Sequence, residues 1–79
     1  MSTGLLVSFG KAVRQMRQEK CISQEDFADM CGLHRTYISD VELGKRNISL
    51  ENIGKIASAL NIEIAHLFQL ADTNFNSGS

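Results

Sequence analysis

The stretch SQEDFADMCGLHRTYISDVELG, residues 23–44, contains start and stop signals for two short helices. Ser23 can cap a helix by accepting a hydrogen bond from a backbone N–H, and Asp26 stands three residues later, as in a capping box. Gly32 adopts the left-handed conformation without a Cβ clash, so it can end that helix. The pattern predicts helix 2 over residues 24–31 and helix 3 over residues 35–43, ending before Gly44.

The small and apolar residues of this stretch predict that helices 2 and 3 cross closely. Ala28 is small enough to permit the approach, and Gly32 forms the tight turn. Ile38 and Val41 are three residues apart and share one face of helix 3. The residues expected to bury a shared core beneath the turn are Phe27, Leu33, Ile38 and Val41. Residues 24–43 therefore have the spacing of a helix-turn-helix.

Three more helices surround this pair, according to the apolar periodicity. Helix 1, over residues 5–20, has its apolar residues at Leu6, Phe9, Val13 and Met16. Helix 4 is capped by Ser49, ends at Asn61 and has an apolar face of Leu50, Ile53, Ile56, Ala57 and Leu60. A short helix 5 contains Ile64, Leu67 and Phe68, and residues 1–4 and 71–79 are expected to be flexible. The absence of proline and of a sustained period of two predicts one all-α domain over residues 5–70.

The length of the chain and the distribution of its apolar residues limit the classes of protein that it can represent. A chain of 79 residues buries only about 60% of its unfolded surface, which favours a partner subunit. The sequence lacks an apolar run near the roughly 20 residues that a membrane span needs, and its start does not resemble a signal peptide. We therefore expect no membrane association and a soluble protein of the cytoplasm.

The residues that carry chemistry do not form a recognisable metal or catalytic pattern. Cys21 and Cys31 are expected to be reduced packing residues. Together with His34 and His66 they could supply four zinc ligands, but their spacing matches no zinc motif that we can argue for. No nucleophile, base and orienting group stand in a recognisable arrangement, and the chain has no phosphate loop. We expect no metal, no cofactor and no enzymatic activity.

The chain resembles the phage-repressor-like (Xre-type) helix-turn-helix family over about residues 8–70. The resemblance rests on the capped Ser-Gln at the start of helix 2, the spacing of Ala28 and Gly32, the Glu-x-Gly that closes helix 3, and a capped helix 4 that ends before Asn61-Ile62. It implies a compact five-helix, lambda-repressor-like DNA-binding domain in which helix 3 enters the major groove. The segments RTYISDVE and GKRNIS are most similar to the controller proteins of restriction-modification systems, small dimers that regulate their own operon and the endonuclease gene.

The resemblance implies DNA contacts from helix 3 and from its surroundings. Helix 3 would present Arg35, Thr36, Ser39 and Asp40 to base edges. The Arg35 fork can donate two hydrogen bonds to guanine O6 and N7, whereas Asp40 could accept from cytosine N4, orient Arg35 or pair within its own helix. The expected contacts with the DNA backbone come from Gln24, Tyr37, Lys45, Arg46 and Asn47.

The net charge of −1 does not exclude DNA binding, because most acidic residues lie outside the expected basic face. Three of them follow the start of helix 2, at Glu25, Asp26 and Asp29. In some family members an acidic surface on helix 2 contacts RNA polymerase, so these residues form a candidate polymerase contact. The alternative is an ordinary solvated face.

The resemblance also implies an internal ion pair and a dimer. Arg17 and Glu42 match the family's ion pair between helices 1 and 3. The residues expected at a two-fold interface are Ile48, Ile64, Ala65 and Phe68. A symmetric dimer binds paired half-sites on double-stranded DNA, about one helical turn apart. The function that follows is a transcription regulator of a restriction-modification operon acting on its own promoter; the alternatives are an antitoxin-type protein-binding module or a phage-type repressor.

Overall fold

A computed structural model describes residues 2–77 of the chain, and the side chains of residues 4–73. Within this range the chain forms five helices and no strand, which confirms the predicted all-α fold. The helices are α1 (Ser2–Glu19), α2 (Gln24–Cys31), α3 (Arg35–Glu42), α4 (Leu50–Leu60) and α5 (Ile64–Ser77). None of the helices in this part of the chain combines the length and apolarity needed to cross a bilayer.

The predicted caps determine where the helices around the tight turn begin and end. Ser23 Oγ accepts from the Asp26 N–H at 3.0 Å at the start of α2, and Ser49 Oγ accepts from the Asn52 N–H at 3.1 Å at the start of α4. Gly32 ends α2 in the left-handed region with φ of 72°. These contacts satisfy backbone groups that a helix leaves unpaired at its ends. The predicted bounds of α2 are therefore confirmed.

The core contains apolar side chains from all five helices, and it packs against the inner face of α3. The fully buried side chains include Phe27 of α2, Ile38 of α3, Ile56 of α4 and Leu67 of α5. Cys31 also lies in this core, and burial raises the pKa of its thiol to about 11. The inner face of α3 is thus fixed by packing, while its first two residues, Arg35 and Thr36, are exposed.

Gly10 allows α1 and α3 to approach with no side chain between them. A Cβ at this position would collide with the backbone carbonyl oxygens of Val41 and Glu42, at 2.7 Å from the latter. Gly44, with φ of 73°, follows the end of α3 and lies close to Val7 of α1. A Cβ on Gly44 would lie 2.7 Å from the Val7 Cα. Backbone from α1 therefore supports the C-terminal end of α3 directly, a role for Gly10 that the sequence analysis did not identify.

The terminal helices are longer than the sequence pattern predicts. Helix α1 begins at Ser2 and α5 continues to Ser77, although residues 1–4 and 71–79 were expected to be flexible. Ala71, the first residue beyond the predicted boundary at residue 70, is buried in the core and anchors α5 there. Packing against the core, here through Leu67 and Ala71, stabilises a helix whose composition is small and polar. Residues 1, 78 and 79 lie outside the described residues.

Two residues that were expected to pack against the core are exposed instead. Leu50 is 75% exposed because it is the first residue of α4 and helical side chains lean toward the N-terminus, which directs Leu50 past the end of the helix. Cys21 is exposed at φ of 57°, and its N–H donates to Gln18 O at 2.9 Å to close α1. Its role is to end the helix rather than to fill the core.

Candidate nucleic-acid interface

The start of α2 and the start of α3 meet at one edge of the molecule. Gln24 is the first residue of α2 and Arg35 is the first residue of α3. Arg35 Nη1 donates to Gln24 Oε1 at 3.2 Å, so the structure brings these two predicted contact residues together. Arg35 and Thr36 are exposed, and Ser39 is partly exposed one turn later. Together they form an outward polar surface.

A buried ion pair supports this edge from the inside. Arg17 Nε lies 2.6 Å from Glu42 Oε2, and Arg17 Nη2 donates to Glu42 Oε1 at 3.0 Å. The two side chains are only 10% and 2% exposed. Arg17 Nη1 also donates to Ile22 O at 2.7 Å, in the loop before α2. This two-bond contact joins α1 to α3 and leaves the charges well satisfied.

Gln24 connects the ion pair to the outer surface. Its Nε2 donates to Glu42 Oε1 at 3.0 Å, while its Oε1 accepts from Arg35. A continuous chain of hydrogen bonds thus runs from Arg17 through Glu42 and Gln24 to Arg35. The family resemblance implied a role for each of these four residues but did not predict that Gln24 links them.

Tyr37 and the segment after α3 form a second cluster on the same side. The Arg46 guanidinium lies 4.8 Å from the centre of the Tyr37 ring, a cation–π contact, and Arg46 Nη2 lies 3.2 Å from Asp40 Oδ2. Tyr37 Oη accepts from Asn52 Nδ2 at 3.0 Å. Asn52 was not among the predicted site residues, and only its place in the first turn of α4 gave a signal for it.

Asp40 has a different partner from the one that the sequence analysis considered. The alternatives to base recognition were that Asp40 orients Arg35 or pairs within its own helix. The Asp40 carboxylate instead pairs with Arg46, beyond the end of α3, and Arg35 bonds to Gln24. Both Asp40 and Arg46 remain partly exposed, at 31% and 46% of their side chains, so this ion pair is weak. It restrains the segment that follows α3 without fixing it.

The remaining predicted contact residues lie on the segment between α3 and α4. Lys45, Arg46 and Asn47 are all exposed. The Lys45 N–H donates to Asp40 O at 2.9 Å, which closes the turn behind the left-handed Gly44. This backbone bond holds two cations and an amide directly after the C-terminal end of α3.

The acidic residues of α2 are exposed near the edge where α2 and α3 begin. Glu25 and Asp26 occupy the first turn of α2, where carboxylates interact favourably with the helix dipole, and Asp29 follows one turn later. Met30 is 54% exposed on the same helix. Positive and negative surfaces are therefore adjacent, which explains how a chain with nearly balanced charge can hold a basic face.

The residues predicted for a subunit interface divide into two groups. Ile64, Ala65 and Phe68 are exposed on α5, with Ile64 at 41% and Phe68 at 39%. Phe68 also contacts Phe9 of α1, with ring centres 5.4 Å apart. Ile48 is partly buried and packs against the core, so much of its surface serves the subunit itself.

No group of three or more His, Cys, Asp or Glu side chains that could hold a metal occurs in the part of the chain that is described. Cys31 is buried, whereas Cys21, His34 and His66 are exposed. The polar surface formed by α2, α3 and the following segment is thus the principal candidate for function.

The arrangement of α2, α3 and their connecting turn matches a known family. The helix-turn-helix family matches residues 13–67, which include all of α2, α3 and α4. The chain belongs to this helix-turn-helix family.

Within this family, the chain is similar to control proteins of restriction-modification systems. The control protein C.BamHI of Bacillus amyloliquefaciens is 52% identical over 64 residues, which are 80% of this chain and 79% of that protein. The restriction-modification controller protein C.AhdI from Aeromonas hydrophila has 50% identity and a TM-score of 0.77, over 78% of this chain and 94% of that one. The predicted resemblance to controller proteins is confirmed.

A further solved structure contains DNA. It is the tetramer of the restriction-modification controller protein C.Esp1396I in complex with its natural 35 base-pair operator. That chain is 30% identical to this one with a TM-score of 0.82, over 90% of this chain and 93% of that one. The same fold therefore binds an operator in that relative.

Proposed function

We propose that this protein is a dimeric, sequence-specific regulator of transcription that binds double-stranded DNA and controls a restriction-modification operon from its own promoter. The observation that carries the proposal is the exposed start of α3, at Arg35 and Thr36, where Gln24 bonds to Arg35 at the surface. The similarity to restriction-modification control proteins, one of them solved with its operator, supports the same function. We propose no catalytic activity.

In this proposal α3 recognises bases and its neighbours bind the phosphate backbone. Arg35 donates to a guanine, and Thr36, Ser39 and Asp40 contact adjacent base edges. Contacts with the DNA backbone come from Gln24, Tyr37, Lys45, Arg46 and Asn47. The Tyr37 hydroxyl already accepts from Asn52, which leaves its own hydrogen for a phosphate oxygen. Asp40 can contact a base if Arg46 moves to a phosphate.

Arg35 and Lys45 should contribute to binding in different ways. We expect Arg35→Ala to lose about 1–3 kcal/mol of discrimination at one or two base pairs, because a forked contact with guanine is lost. Lys45→Ala should weaken binding to all duplexes and lower the salt slope by about one, because one phosphate contact is lost. Titrations on a duplex selected by the wild-type protein and on random duplex, at several salt concentrations, measure both effects. Equal losses on both duplexes for Arg35→Ala would contradict its role in base recognition.

We place the dimer interface on α5, around Ile64, Ala65 and Phe68, with Ile48 at its margin. An Ile64→Glu/Ala65→Glu variant should be monomeric, because burying two unpaired carboxylates opposes association. Sedimentation equilibrium measures the change. Met30→Glu introduces a charge at an exposed residue of α2 and should leave the dimer intact. A dimer that survives the double substitution would move the interface elsewhere.

The acidic residues Glu25, Asp26 and Asp29 form a proposed contact with RNA polymerase. We expect Glu25→Lys/Asp29→Lys to reduce promoter activation severalfold, because two attractive charges become repulsive. Transcription from the promoter in vitro is measured at protein concentrations that saturate the DNA. Glu19→Lys, at an exposed acid on α1, is the control. Unchanged activation by the double variant on saturated DNA would show that the acidic face is only solvated.

A bacterial cytoplasmic location, at the nucleoid when bound to the operator, belongs to the same proposal. Microscopy of a fluorescent fusion in cells with and without operator copies tests it: a diffuse signal in both would count against operator binding in the cell.

A further inference from the structure

We infer that Glu42, a buried residue behind the DNA-facing surface, is a positioning residue for sequence recognition: it fixes the side-chain amide of Gln24, and Gln24 in turn holds the Arg35 guanidinium. The inference rests on the proposed function, because it assigns Arg35 to base recognition. It assigns specificity to a side chain that is only 2% exposed and so lies behind the residues that face DNA.

The first step concerns the rigidity of Glu42. Its two carboxylate oxygens receive Arg17 Nε and Nη2 at 2.6 and 3.0 Å, and Oε1 also accepts from Gln24 Nε2 at 3.0 Å. A forked arginine–carboxylate contact defines the plane and position of both groups. The close approach of the Gly10 backbone to the Glu42 carbonyl adds a constraint on the main chain. Glu42 therefore offers a fixed acceptor to Gln24.

The second step concerns the direction of the Gln24 amide. A glutamine amide has an acceptor oxygen on one side and a donor NH2 group on the other, and the two are interchangeable by rotation. A carboxylate paired with arginine only accepts, so the NH2 group must face Glu42. The Gln24 oxygen then faces Arg35, which donates to it at 3.2 Å. The opposite rotamer would place donors against Arg35 and an oxygen against a carboxylate.

The third step concerns Arg35 itself. This side chain is exposed at the first residue of α3 and has several rotatable bonds, so an unrestrained guanidinium would lose conformational freedom on binding DNA. The Gln24 oxygen reduces that loss by holding the guanidinium before DNA arrives. The second hydrogen of the Gln24 NH2 group remains for the proposed phosphate contact. One amide thus ties the phosphate contact to the arginine that recognises a base.

The substitution Glu42→Gln tests this chain of contacts. A glutamine at this position can offer its own NH2 group to Gln24, which allows the Gln24 amide to reverse and to repel Arg35. We expect the ratio of affinities for a duplex selected by the wild-type protein and for random duplex to fall about fivefold or more, the lower part of what a forked arginine–guanine contact supplies. Affinity for random duplex should stay near that of the wild type. Equal losses on both duplexes by a folded Glu42→Gln protein would overturn the inference.

Arg17→Lys is the matched control for a weakened ion pair. It keeps the opposite charge, removes the fork and leaves Glu42 as a pure acceptor, so the affinity ratio should stay within twofold of the wild type. A fall in the ratio as large as that of Glu42→Gln would mean that stability of the pair, and not the direction of the amide, controls recognition.

A double-mutant cycle keeps the inference testable if Glu42→Gln does not fold. Gln24 is partly exposed and Arg35 is exposed. The effects of Gln24→Leu and Arg35→Ala on the selected duplex should be less than additive, since the first removes the bond that holds the guanidinium and the second removes the guanidinium itself. On random duplex the two effects should add. Additive effects on both duplexes would overturn the inference.

A measurement without DNA separates this inference from the proposed function. The side-chain NH2 signals of Gln24 in the NMR spectrum of the free protein should shift on Glu42→Gln, because their acceptor changes. Unchanged signals in a folded variant would overturn the positioning role. If the wild-type protein enriches no sequence from a random pool, the proposed function fails, and a shift of these signals would still support the positioning of Gln24.

Discussion

Replacement of Glu42 by alanine is expected to lower the free energy of unfolding by about 3–5 kcal/mol, the usual effect of removing one partner of a buried ion pair. Arg17 would keep its charge in a site where its side chain is only 10% exposed, and Ile22 O would be its remaining acceptor. The Gln24 NH2 group would lose its acceptor as well. In a domain of this size the loss is a large part of the total stability.

Denaturation by urea, followed by circular dichroism, measures this loss. The double variant Arg17→Met/Glu42→Met is the control, because it removes both charges and keeps most of the volume; it should recover most of the lost stability. If Glu42→Ala costs less than about 1 kcal/mol, the pair would have the energetics of an exposed surface ion pair, contrary to its burial.

Replacement of Gly10 by alanine should cost about 1–3 kcal/mol, although alanine is the better helix former. The added methyl group would collide with the carbonyl oxygens of Val41 and Glu42. These atoms belong to the backbone of α3 and cannot rotate away, so α1 and α3 must separate. We expect a lower melting temperature and weaker binding to the selected duplex, because the end of α3 moves.

Gly54 provides the matched control for Gly10. It also lies within a helix, and a Cβ there would meet nothing within 4 Å. Gly54→Ala should therefore raise the stability by about 0.5–1 kcal/mol through helix propensity alone. A Gly10→Ala protein as stable as Gly54→Ala would show that the two helices tolerate separation.

Local signals in the sequence predicted the elements that build the surface. The caps at Ser23 and Ser49 and the turn at Gly32 act within a few residues, so the sequence alone determined the bounds of α2 and the start of α4. The resemblance to a family supplied the ion pair between Arg17 and Glu42, whose members lie 25 positions apart. Spacing along the chain carries no information at that separation.

The features that the sequence did not predict depend on how the helices meet. Gly10 looks like an unfavourable helix residue until α3 is placed against it. The burial of Ala71 lengthens α5, and the side chain of Leu50 points away from the core and is exposed. Both outcomes depend on how far the core extends, which the sequence does not specify. The partners of Gln24 and Asp40 likewise follow from the crossing of α2 and α3 and from the path of the chain after Gly44.

A single guanidinium group joins three separate segments of this chain. Arg17 extends from α1, donates to the carbonyl group of Ile22 in the following loop, and forms an ion pair with Glu42 at the C-terminal end of α3. An excised peptide of residues 23–44 would retain every α3 side chain assigned to base recognition and yet lack the clamp that sets their angle. The helix-turn-helix of this protein therefore depends on α1 for its geometry and would not bind DNA in the same way as an isolated segment.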